Sequence, residues 1–197
     1  MREITTVTKL YTFSELNEKA QQRAIERYRE NYDFTFDAES VTEDAIEISK
    51  ILGISIDRIY YSGFWSQGDG ACFDGVYRYK KQAVEAIKQY APQDTELHQI
   101  ALDLQKIQSK YFYSLKAICK QHGRYCHSDS MCINVDTSRD FSDVSGAEDD
   151  MEQALRAFAD WIYRSLEQAY DDGTSEGQIE EFFDSNETEF TEDGVSV

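Results

Sequence analysis

Two strand-like runs, ISIDRIYYSGFW and ACFDGVYRYK, stand on either side of the glycine-rich stretch SQGDG, and this pairing limits the folds open to the chain. Residues 71–80 alternate Cys72, Asp74, Val76 and Arg78 with Phe73, Gly75, Tyr77 and Tyr79, the period of a half-buried strand. The preceding run is its natural partner in a central β-hairpin. Asp69-Gly70 is a preferred pair for a type I′ turn, in which both central residues take positive φ. The remaining segments carry helical periodicity, so the expectation is α+β: a single domain over residues 1–197, mostly antiparallel sheet packed against several helices.

The helical readings are specific. Residues 3–11 read as a strand, after which Thr12 and Glu15 have capping-box spacing and open a helix with Leu16, Ala20, Ala24, Ile25 and Tyr28 on its apolar face. A second helix begins near Asp37 or Ser40, turns Ala45, Ile48 and Leu52 inward and stops at Gly53. Residues 81–90 form a short helix. Beyond Pro92 the apolar positions Leu97, Ile100, Ala101, Leu104, Ile107, Tyr111, Leu115 and Ile118 predict one long helix that ends at Gly123. MCINVDT is a further strand and residues 137–146 a polar loop. Ser145 and Glu148 cap a helix reaching about Tyr170, with Met151, Leu155, Phe158 and Ile162 inward. A last short helix covers about 175–185, before an acidic tail with room for a terminal strand.

Three stretches resemble chemical motifs. The glycines at 68 and 70 lie between strands rather than between a strand and a helix, so no helix N-terminus meets a phosphate there, and no P-loop pattern occurs. Phe64 and Trp65 beside the turn are either a contact surface or core; the sequence fits both. Cys119, His122, Cys126, His127 and Cys132 offer zinc-type ligands, but C-x2-H-x3-C-x5-C follows no common finger, and buried thiols with ordinary polar histidines explain the same letters. DGTSEGQIEEFF imitates a calcium loop at Asp172 and Gly177. Its twelfth position is Phe183 where a bidentate Glu is needed, and an interhelical turn capped by Ser175 accounts for it. No metal or cofactor is therefore expected.

Charge is the informative part of the composition. Of a net −18, residues 1–128 hold 18 acidic and 17 basic side chains, whereas residues 129–197 hold 20 and 3. The mainly helical C-terminal third, from about residue 140, thus repels nucleic acid and attracts basic surfaces. Asp149, Glu152, Asp160, Glu167, Asp171, Asp172, Glu180 and Glu181 are the expected partner-binding face, with Phe64 and Trp65 as aromatic candidates. The opening MREITTVTKLYTF lacks the apolar run of a signal peptide and no stretch is long enough to span a membrane, so a cytoplasmic location in a host cell is expected. No base, nucleophile and oxyanion donor visibly converge, which argues against an enzyme.

FSELNEKAQQRAIERYRENYDF, YYSGFWSQGDGACFDG, YKKQAVEAIKQYAPQDTELHQIALDLQ and NETEFTEDG resemble segments of a family of small phage and prophage proteins, some labelled antitoxin of a toxin–antitoxin stability system. The resemblance spans nearly the whole chain, and SGFWSQGDGACF is its best marker. It implies an accessory phage protein and supplies no catalytic residues. By analogy with other small acidic phage proteins, the expected function is inhibition of a host nucleic-acid-handling defence complex, of anti-CRISPR or anti-restriction type, with mimicry of DNA as one route to it. An antitoxin neutralising a partner toxin, and a small-ligand protein or enzyme using the glycine-rich hairpin, are the alternatives. The partner is expected to be a basic host protein or ribonucleoprotein; the oligomeric state is open.

Overall fold

The computed structural model describes residues 1–2, 7–139 and 145–197, the side chain of Ser145 excepted. The chain is α+β, as its periodicities indicate, and divides into two compact units, residues 37–167 and residues 1–36 with 168–197.

The larger unit is built on a four-stranded antiparallel meander, β1 (Ile54–Tyr61), β2 (Ala71–Arg78), β3 (Leu115–Gln121) and β4 (Met131–Thr137), in that spatial order. Alternation fixes its inner face: Ile54, Phe73, Tyr77, Leu115, Ala117, Cys119 and Met131 are buried. The Phe73 ring meets that of Phe158 edge-on, at 5.9 Å between centroids. Gly75 carries no side chain because the Ser55 carbonyl comes within 2.4 Å of where a Cβ would lie, and the register of β1 slips by one residue between Ile56 and Arg58. Among the described helices, α1 (Glu18–Glu30) and α2 (Thr35–Leu52) come first, and α2 is followed by Gly53 at φ +88°. Then come α3 (Ala83–Tyr90), α4 (Thr95–Lys110), α5 (Ser145–Gly173) and α6 (Glu176–Ser185). On α5, Met151, Leu155, Phe158, Ile162 and Leu166 are buried, as their spacing requires.

Four local expectations are corrected. The long helix stops at Lys110. Residues Tyr111–Ser114 turn the chain, with Phe112 and Tyr113 in the left-handed region, and 115–121 is strand β3. Gln108, buried in α4, accepts from the Leu115 N–H and donates to the Leu115 carbonyl, so a side chain stands in for a neighbouring strand there. The tight hairpin turn at Asp69-Gly70 is absent. β1 and β2 are joined by residues 62–70, where Gly68 alone has positive φ. Gly70 is selected instead by close approach, since a Cβ there would lie 2.8 Å from the Cys126 carbonyl. Thr12 and Glu15 do form their capping contact, 2.9 Å from the Thr12 N–H to the Glu15 carboxylate, but around a single 3-10 turn. α1 starts later, where Asn17 accepts from the Ala20 N–H at 3.1 Å. Finally, residues 3–6 of the expected first strand lie outside the described residues, 7–10 are not strand, and Tyr11 makes only an isolated bridge to Phe190.

The smaller unit closes around Phe13, Leu16, Ala20, Ala24, Ile25, Ile179, Phe183 and Phe190. The expected capped turn between α5 and α6 is present: Ser175 Oγ accepts from the Gln178 N–H. Thr174 is buried with its hydroxyl on the Tyr170 carbonyl, so the residue at the third position of the supposed calcium loop is committed to the backbone.

Candidate functional site: an acidic and aromatic surface

With 3.6 residues per turn, Asp149, Glu152, Asp160 and Glu167 fall on one stripe of α5 that borders the apolar face, where Asp149 is exposed and Glu152, Asp160 and Glu167 are half-buried. Arg156 lies in the same stripe. It forms ion pairs with Glu152 and, at 3.7 Å, with Asp129, and its guanidinium donates to the Met131 carbonyl at 3.3 Å. Glu152 is therefore neutralised locally. Asp149, Asp160 and Glu167 make no ion pair among the described residues.

The loop between β1 and β2 reaches this stripe through Tyr163. The Tyr163 hydroxyl donates to the Gly63 carbonyl at 3.1 Å, and its ring lies 5.8 Å from that of Phe64. Burial, then the carboxylates of Glu167 and Asp69, raise the Tyr163 pKa. Asp69 shapes the loop: one carboxylate oxygen accepts from the backbone N–H groups of Trp65 and Ser66, at 3.1 and 2.6 Å. That conformation presents Trp65 outward at 75% exposure, with Phe64 half-buried against it. Between the two fates open to Trp65, the structure selects the surface.

A second loop, residues 122–130, borders the first. The Tyr125 ring comes within 3.4 Å of a Cβ placed on Gly68, and Tyr125 is 62% exposed. The surface thus comprises Phe64, Trp65, Asp69, Tyr125, Asp160, Tyr163 and Glu167, with Asp149 on the same stripe about 21 Å along α5 from Tyr163. Asp171, Asp172, Glu180 and Glu181 are exposed in the smaller unit, where Asp172 accepts from Gln168 at 2.9 Å. Sequence reasoning missed Tyr163 and Tyr125. Tyr163 did carry a signal, as an aromatic three residues after Asp160 and four before Glu167 on the polar side of an amphipathic helix.

The Cys and His cluster does not assemble. Cys119 is buried on the inner face, whereas Cys132 pairs with Lys120 and is exposed on the outer one. His127 accepts from the Asp129 N–H as the cap of a 3-10 turn. No group of three or more His, Cys, Asp or Glu side chains among the described residues is arranged to hold a metal ion. No described helix is long and apolar enough to cross a membrane.

Fold and site together define an α+β protein whose sheet and α5 support a surface of carboxylates and exposed aromatics. Residues 38–176, which contain all eight of these side chains, match the model of a family described as a domain of unknown function (DUF8835), and the chain belongs to that family. No curated protein and no solved structure matches it.

Proposed function

We propose that this chain is a non-enzymatic binding protein of phage origin that acts in the host cytoplasm by occupying a basic, nucleic-acid-handling surface of a host defence complex. The observation that carries the reading is the junction at Tyr163, which brings an exposed tryptophan and a carboxylate-bearing helix face into one surface. Aromatic anchors supply most of the energy of protein interfaces, and surrounding charge sets encounter rate and selectivity. The protonated, buried state of the Cys72 and Cys119 thiols also favours binding over nucleophilic chemistry.

The spacing narrows the mechanism. From Asp149 to Glu167 the helix rises about 27 Å and carries three unpaired carboxylates, whereas the same length of duplex bears about 16 phosphates. Recognition is therefore by charge complementarity around an aromatic anchor, not by a phosphate-for-phosphate copy of DNA. The test is to use the full-length protein as bait in host lysate and challenge the captured complex with duplex DNA. Release by DNA is the expected result. Capture that duplex DNA leaves intact would exclude the nucleic-acid-binding surface as the target.

A further inference from the structure

In a chain of net charge −18, one end of the sheet holds two cations that make no ion pair among the described residues. Arg78 on β2 and Lys116 on β3 are direct cross-strand partners, so their side chains leave the same face side by side. Like charges placed opposite one another destabilise a strand pair. The fold neutralises a cation elsewhere on β3: Lys120 lies 3.8 Å from Asp57 and 3.5 Å from Asp74. Neither Arg78 nor Lys116 makes an ion pair among the described residues. Asp136, the other cross-strand neighbour of Lys116, accepts instead from the Thr137 N–H at 2.8 Å.

These two cations, together with the Asp136 carboxylate, line a pocket of about 310 Å³, so its charged wall is net positive by one. Another part of its wall is aromatic: the rings of Tyr79 and Tyr113 lie 4.4 Å apart, tilted by 38°, and Tyr113 is 48% exposed. The hydroxyls of Ser114 and Thr137, 2.9 Å apart, add donors and acceptors. A guanidinium fork and an ammonium beside each other suit a phosphate, and a tyrosine face suits a planar ring.

We infer that the pocket between Arg78, Lys116 and the Tyr79–Tyr113 pair binds a free mononucleotide, its phosphate on the two cations and its base against the tyrosines. The volume suits one nucleotide. The acidic last third of the chain opposes a polyanionic strand much more than a single phosphate, which selects the free nucleotide over single-stranded nucleic acid as the source of this chemistry. This site is independent of the acidic surface.

The test is calorimetric titration of the full chain with AMP, adenosine, inorganic phosphate and a short oligothymidylate at low salt. AMP should bind saturably and at least about tenfold more tightly than adenosine or phosphate, each of which engages half of the pocket. Arg78→Gln and Lys116→Gln should each weaken AMP binding about tenfold while leaving Tm unchanged or raised, because each removes a repulsion. Tyr113→Leu should weaken AMP and adenosine alike. Absence of saturable AMP binding, AMP affinity unaltered by both charge substitutions, or tighter binding of the oligothymidylate than of AMP would overturn the assignment.

Discussion

Burial pushes the Cys72 thiol up to about 11 and the Cys119 thiol up to about 12, desolvation being the largest cause in each, and it also raises the Tyr77 phenol. These groups favour the folded state while they are neutral. The stability they contribute is fully present below their unfolded values, about 9 for a thiol and 10 for a phenol, and is lost as pH rises towards the folded values. Thermal melts should therefore show Tm falling from about pH 9 upward, more steeply in the wild type than in Cys119→Ala measured against its own neutral-pH value. Equal slopes in the two would contradict the assignment. At neutral pH a thiol-specific label read by mass spectrometry should modify exposed Cys132 rapidly and reach Cys72 and Cys119 only after unfolding.

The legibility of the elements followed how local their causes are. The apolar stripe of α5, the stop at Gly53 and the alternation of β2 are set by neighbours within a turn or two, and each stands where its residues place it. The strand at 115–121 was not legible, because Leu115 and Ile118 fit a helical stripe as well as Leu115, Ala117 and Cys119 fit a strand, and pairing with β2 and β4 decides between them. Likewise the Asp69-Gly70 turn gave way to a longer loop, since the packing of Gly70 against residues 126 and 127 is a long-range constraint. Of the site, the carboxylates and Trp65 were legible. Their union through Tyr163 was not, because it depends on where α5 crosses the loop. Two substitutions test these causes. Gln108→Leu leaves the Leu115 N–H and carbonyl without partners and should cost about 2–4 kcal/mol by denaturant unfolding. Gly75→Ala forces a methyl onto the Ser55 carbonyl and should cost about 1–3 kcal/mol.

At the scale of the whole molecule, charge dominates. A net −18 with 20 acidic against 3 basic residues after position 128 makes the folded chain repel itself at low ionic strength, so Tm should rise as salt is added and screening shortens to about 8 Å or less. A flat or falling Tm would mean that the carboxylates are better compensated than their ion pairs indicate. The same field makes partner binding salt-sensitive, whereas the contact of Trp65 resists salt. The measurement that tests the central claim most directly is the affinity of the captured partner for the wild type, for Asp160→Lys with Glu167→Lys, and for Trp65→Ala, each at low and high salt. The account predicts that the charge-reversed protein loses at least about tenfold at low salt and much less at high salt, and that Trp65→Ala loses a similar factor at both. Affinity that neither substitution changes, or that salt leaves untouched in the wild type, would contradict it.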